Sequence, residues 1–293
     1  MHVFVTGATG WVGSAVVNEL VSAGHQVTGL ARSDAGADAL AKAGAAVRRG
    51  ALTDLDILRD AAAAADAVIH CAFNHDFSRY LEVCAEDERA IAALGAGLEG
   101  SDRPLLATSG MALIARGPLA DEDDASAPEF PRRSEQAAQA LAARGVRAGV
   151  VRLPPSVHGL GDHGFVPRLI QVAREKGLAA HVGEGRNRWA GVHRLDAARV
   201  YRLAIEAGVT RPVYHAVGDE GAPFKALAAV IGRRLGVPAA GLTEAEAQAH
   251  FGWIAPFAAM DLAASGARTQ GWLDWTPVQP GLIADLDQPG YFT

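Results

Sequence analysis

The stretch HVFVTGATGWVGSAVVNEL places Gly7, Gly10 and Gly13 between an apolar β-type run and an amphipathic helical one. No other feature of the chain limits its fold as strongly. One glycine makes the tight turn out of the strand, a second lets the backbone come close to a diphosphate, and a third lets helix and strand pack closely. The helix that follows offers unpaired N–H groups and a partial positive charge at its N-terminus. At the first strand-to-helix junction of an alternating chain, this arrangement points to dinucleotide binding rather than to a merely structural turn.

The alternation continues through the first half. Strands are predicted at His2 to Thr6, Gln26 to Leu30, Ala46 to Arg48, Ala67 to His70, Pro104 to Thr108 and Arg147 to Leu153. Helices are predicted near Trp11 to Ala23, Ala35 to Ala43, Leu55 to Ala64, Ser78 to Leu98 and Pro131 to Ala143. Asp34 and Asp54 are the expected N-caps, and Gly24, Gly44 and Gly145 the expected stops. With 293 residues, the pattern predicts an α/β, Rossmann-type doubly wound parallel sheet with a smaller C-terminal lobe. The expected boundary puts the cofactor-binding core at 1–153. The substrate-binding part is then mainly 154–293, with some segments returning to the core. Later helices are expected at Asp196 to Glu206, Pro223 to Leu235 and Thr243 to Phe251.

Composition narrows the partners. A formal charge of −6 argues against nucleic acid or an anionic membrane as the main partner. Two cysteines, Cys71 and Cys84, make no disulfide framework or zinc spacing and read as buried small hydrophobes. No histidine pair has helical ligand spacing, so no metal site is expected. The chain shows neither a leader pattern nor a run long enough to span a bilayer, and a cytoplasmic location is the expectation. The acidic stretch Asp121 to Asp124 reads as a solvated loop.

The Gly-x-x-Gly-x-x-Gly turn, with Thr6 before it and Ala8 and Thr9 inside it, resembles that of the extended short-chain dehydrogenases/reductases, the NAD-dependent epimerase/dehydratase family. VIHCA at 68–72, VVRLPPSVHGLG at 150–161, VHRLDAARVYRLAIE at 192–206 and WLDWTP at 272–277 carry the resemblance along most of the chain. It implies an oxidoreductase with a nicotinamide cofactor and a small-molecule substrate. Ala72 and Phe73 would then line the nicotinamide ribose, and the backbone of Pro154 to Val157 would touch the carboxamide. The cofactor set expected in this way is Gly7, Thr9, Gly10, Trp11, Val12, Gly13, Arg32, Ser33, Leu52, Ala72, Phe73, Thr108, Pro154 and Val157. By the same analogy, a homodimer would pair through the helices near Ser78 to Leu98 and Pro131 to Ala143.

Cofactor preference is read at the end of the second strand. An NAD site usually has an acid there for the ribose 2′-hydroxyl. This chain reads GLARSDAG, with Ala31 in the acid position followed by Arg32 and Ser33. A forked cation and a hydroxyl suit a 2′-phosphate, so NADP(H) is expected over NAD. Asp34, shifted by the turn, would favour NAD instead. Ala51 replaces a family aspartate that faces adenine, leaving Leu52 to pack there.

The family's acid/base pair is a Tyr with a Lys four residues on, assisted by a Ser. None of the four tyrosines meets this spacing: Tyr80 is followed by Cys84, Tyr201 by Ile205 and Tyr214 by Gly218, and Tyr291 is too near the end. In FPRRSEQAAQAL, Pro131 takes the tyrosine's place and Glu135 the lysine's. Three readings follow. The first is an NADPH-dependent reductase of a C=O or C=N bond, an iminium carbon accepting hydride without a proton donor. The others are a catalytically silent NADP-binding sensor and a sugar-type epimerase or dehydratase. The reductase is favoured because the loops at the sheet's carboxyl edge are rich in polar and aromatic groups. Ser109, Tyr80 and His158 are the expected catalytic residues. Asn74, His75, Asp76, Met111, Arg133, Phe165 and Trp189 are expected around a small, partly apolar substrate.

Overall fold

The computed structural model describes residues 1–114, 118–127 and 129–293. Seven parallel strands form the main sheet: β1 (His2–Thr6), β2 (Gln26–Ala31), β3 (Ala46–Arg49), β4 (Ala67–His70), β5 (Leu105–Gly110), β6 (Ala148–Leu153) and β10 (Val213–His215). Their order is β10-β6-β5-β4-β1-β2-β3. The chain therefore reverses direction across the sheet between β1 and β4, which opens a crevice at their carboxyl ends. Helices α1 (Trp11–Ser22), α2 (Asp34–Lys42) and α7 (Arg194–Glu206) cover one face, and α3 (Leu55–Ala63), α4 (Tyr80–Ala96) and α5 (Ser134–Ala143) the other. Coverage on both faces is why β4 (AVIH) and most of β1 read as continuous apolar runs.

The remaining strands are β7 (Ser156–His158), β8 (Ala179–Val182), β9 (Arg188–His193), β11 (Asp219–Pro223) and β12 (Ala239–Leu242). They make a three-stranded sheet, β11-β9-β7, and the pair β12-β8. Helices α6 (Phe165–Lys176), α8 (Phe224–Leu235) and α9 (Glu244–Phe251) close a separate core around the buried Trp189. The architecture is the Rossmann-type sheet with a smaller C-terminal lobe.

Several local expectations are corrected. Ser33, not Asp34, caps α2, its hydroxyl oxygen accepting from the Gly36 N–H at 3.1 Å. Asp34 pairs with Arg49 at 2.9 Å. Asp54 occupies the N-cap position of α3 but turns back to accept from the Ala51 N–H. α5 begins at Ser134, so Pro131, Arg132 and Arg133 precede the helix. The 121–124 stretch is a clasp rather than a solvated loop. Glu122 is buried and accepts from the Thr269 N–H and hydroxyl, while Arg268 pairs with Asp121 and Asp123. Of the two cysteines, Cys84 is buried and Cys71 partly exposed.

Candidate active site

The glycine turn is a cradle. Gly7 has φ +64°, in the left-handed region, and a Cβ there would stand 2.6 Å from the Ala72 nitrogen. A Cβ on Gly13 would stand 2.1 Å from the Gly7 carbonyl oxygen. Strand end, loop and helix thus meet at distances no side chain tolerates. Gly10 is the N-cap of α1 and supplies no side-chain cap, and the first turn carries no acid. The free N–H groups therefore remain open to an anion, the chemistry that a diphosphate requires. Trp11 pins the cradle to the second half of the chain. Its Nε1 donates to the Val157 carbonyl at 2.7 Å, and the Arg194 guanidinium lies 4.0 Å from its ring centroid. At the other end, α2 abuts the turn: a Cβ on Gly36 would stand 3.4 Å from the Thr9 methyl carbon. Arg32 is exposed there, with no partner among the described residues. Leu52 is half-buried against the apolar core below β3.

Past β4, Ala72 lies against the cradle, and Phe73 and His75 follow in the loop that leads to Tyr80 at the start of α4. The Phe73 and His75 rings meet edge to face at 5.5 Å. Asn74 and Asp76 stitch their own loop, accepting from the Asp76 and Ser78 N–H groups respectively. Arg132 closes the other wall, its guanidinium carbon 4.2 Å from the Phe73 ring centroid. Burial, together with the charges of Arg132 and His163, holds the His75 imidazole below its ordinary range. Burial and the neighbouring Cys84 thiol raise Tyr80, with Arg132 opposing them. Tyr80 is half-buried and remains a protonated donor at neutral pH.

Arg132 is fixed by a buried polar chain. The Thr6 hydroxyl donates to His70 Nδ1 at 2.7 Å, and His70 Nε2 donates to Asp87 Oδ1 at 3.1 Å. The Ser134 hydroxyl donates to Asp87 Oδ2 at 2.6 Å and accepts from Arg132 Nε at 2.9 Å. Arg132 Nη2 donates to the Thr108 carbonyl at 2.9 Å. Desolvation pushes the Asp87 carboxyl up, but the His70 and Ser134 hydrogen bonds and the Arg132 charge outweigh it, and the group lies below the usual range. Arg132 was missed from the sequence because a helix starting at Pro131 would aim it elsewhere. Asp87 left a clearer signal, as the one acid on the apolar stripe Val83, Cys84, Ala90, Ile91 and Leu94 of α4.

The next residue of α5 enters a different cluster. Glu135 accepts from Ser109 at 2.7 Å and from Arg152 Nε and Nη2 at 2.9 and 2.8 Å. Arg152 also donates to the Asp124 carbonyl at 2.7 Å. All three side chains are buried. The Ser109 hydroxyl is thus committed to a carboxylate rather than presented to the crevice.

Other expected residues are committed to partners inside the protein or lie at its surface. His158 is 0% exposed, with Nδ1 2.9 Å from Asp285, which also accepts from the Tyr291 hydroxyl. Met111 and Trp189 are core residues, and the Trp189 indole N–H is taken by the Phe257 carbonyl. Phe165 packs between Trp189, Phe257 and Trp253. Arg133 is exposed, one residue from the arginine that meets the crevice. Thr108 and Pro154 are buried; the Thr108 hydroxyl donates to the His70 carbonyl.

The model of the NAD dependent epimerase/dehydratase family matches residues 3–87, the cradle and β4 included. An uncharacterised protein of Schizosaccharomyces pombe is 45% identical over the full length of both chains. The chain belongs to the NAD-dependent epimerase/dehydratase family. A 2-alkyl-3-oxoalkanoate reductase of Stenotrophomonas maltophilia is 33% identical over 71% of this chain and 66% of its own. Among solved structures, the dTDP-glucose 4,6-dehydratase DesIV from Streptomyces venezuelae, with NAD bound, matches at a TM-score of 0.77 and 18% identity. The match covers 100% of this chain and 97% of the other, and at that identity it speaks for the fold alone. The family's Tyr-and-Lys spacing has no counterpart at any tyrosine of this sequence.

Proposed function

We propose that the protein is an NADPH-dependent oxidoreductase that reduces a C=O bond of a small, partly apolar substrate. The cradle carries this reading: Gly7 and Gly13 let strand end, loop and helix close on one another, so that the N-terminus of α1, with no side-chain cap and no acid in its first turn, is presented at the carboxyl end of β1. Arg32, with no partner among the described residues and beside the Ser33 cap, supports the choice of a 2′-phosphate, since Asp34 is already paired with Arg49. A bound reduced nicotinamide supplies the hydride. Ala72 and Phe73 would line its ribose side, and the backbone around Pro154 to Val157 would meet the carboxamide.

Of the three expected catalytic residues, Tyr80 is the one suited to give the proton that the reduced oxygen needs. Ser109 and His158 are buried and bound to carboxylates. The Arg132 charge also chooses between the two bond types. A fixed cation repels an iminium and attracts the oxygen of a polarised carbonyl, so C=O is favoured over C=N. The 2-alkyl-3-oxoalkanoate reductase is a relative that, by its name, reduces a carbonyl.

Calorimetry with NADPH and NADH tests the cofactor, and NADPH should bind more tightly. Equal or reversed affinities would refute the Arg32 assignment. NADPH oxidation across a panel of ketones and cyclic imines tests the reaction, with turnover expected on ketones. Tight NADPH binding without turnover on any member would instead favour a silent NADP-binding protein.

A further inference from the structure

We propose that Arg132 is an anion-binding residue of the crevice, taking a negatively charged oxygen of the substrate. Two of its three nitrogens are engaged: Nε with Ser134, and Nη2 with the Thr108 carbonyl. Nη1 keeps both hydrogens, with no acceptor among the described residues. The free nitrogen belongs to a group that cannot swing away. Phe73 covers one face, and the chain of Ser134, Asp87, His70 and Thr6 anchors the other end in the sheet.

Its charge is incompletely matched. Asp87 is the carboxylate near it among the described residues, 3.9 Å from Nε with Ser134 between them, and Asp87 also serves His70. The contrast with Arg152 is direct, since that guanidinium has a two-pronged carboxylate in Glu135. A rigid, half-buried guanidinium with an open donor pair is the chemistry that recognises a carboxylate or an oxyanion. The titratable groups that feel its charge from the neighbouring loop and α4, His75 and Tyr80, supply no competing negative charge at neutral pH.

The charged oxygen has two possible sources. It is a carboxylate already present on the substrate, or the alkoxide that develops as hydride reaches the carbonyl carbon. This assignment rests on the reductase reading for its substrate class, whereas the anion site itself is measurable without turnover.

Oxalate and its neutral diamide, oxamide, are the probes, titrated by calorimetry into the protein with and without NADP+. Oxalate should bind in preference to oxamide. The Arg132→Met variant should lose about tenfold or more in oxalate affinity, and Arg132→Lys should recover part of it. Thermal melts of both variants establish that they are folded. Unchanged oxalate binding in folded Arg132→Met, or no preference for oxalate over oxamide, overturns the proposal.

NADPH oxidation with pyruvate and ethyl pyruvate separates the two sources. A substrate carboxylate predicts that Arg132→Met raises KM for pyruvate and leaves the ester unaffected. A developing alkoxide predicts an equal fall in kcat for both. If neither compound is reduced, the reductase reading is in question while the oxalate titration still decides the anion site.

Discussion

Ser134 and Glu135 are neighbours at the start of α5, yet they serve opposite kinds of polar cluster. Glu135 joins Ser109 and Arg152 in a sealed set whose donors and acceptors face one another and whose members are all buried. Ser134 joins Asp87 and His70 in a set that is equally buried at its root but ends in Arg132, at the crevice wall. Closed pairing makes a cluster structural. Leaving one donor pair open at the end of a rigid chain makes it available for binding.

The comparison fails first if the sealed cluster is not structural. Glu135→Ala strands a buried guanidinium and should cost about 3–5 kcal/mol of stability, read as a lower urea midpoint; an unchanged midpoint would remove the contrast. On the crevice side the balance should invert. Tyr80→Phe should lower ketone reduction about a hundredfold, in the range of a lost general acid, and leave the melting temperature nearly unchanged. Retained activity would dismiss Tyr80 as the proton source.

Asp87→Asn probes the root of the open chain and should cost about 1–3 kcal/mol. Because folding holds this carboxyl below its ordinary value, its contribution is complete above the unfolded pKa of about 3.9 and lost as pH falls through the lower folded value. The melting-temperature gap between wild type and variant should be flat from about pH 7 to 5 and close below about pH 4. A gap that widens in acid would contradict the ionised Asp87. The smallest effect is expected at the far end of the cradle. Arg32→Ala should weaken NADPH by about tenfold and leave NADH unchanged in the same titration.

The strands and the glycine turn were legible because their causes are local. Continuous apolar runs bounded by turn residues, and glycine at the tight turn after β1, depend on residue types within a few positions. Site residues divided along the same line. The place of Ala72 and Phe73 directly after β4 is a matter of short spacing, whereas the commitment of Ser109 to Glu135 spans 26 residues and leaves no local pattern. The choice between Arg132 and Arg133 turned on where α5 begins. α5 begins at Ser134, and Arg132 ahead of it is tied to the Thr108 carbonyl, a detail helical periodicity does not carry.

By itself the sequence determined the alternating α/β order, the cradle and the lack of any tyrosine with a lysine four residues on. Each is a property of residue type and short spacing. Only the tertiary structure decided which polar groups neutralise one another and which stay open. It paired Arg152 with Glu135 across 17 residues and Asp87 with Ser134 across 47, and left Arg132 facing the crevice. Hydrogen bonding and desolvation depend on the atoms that surround a group in space, and the fold brings those atoms from four separate strands and two helices.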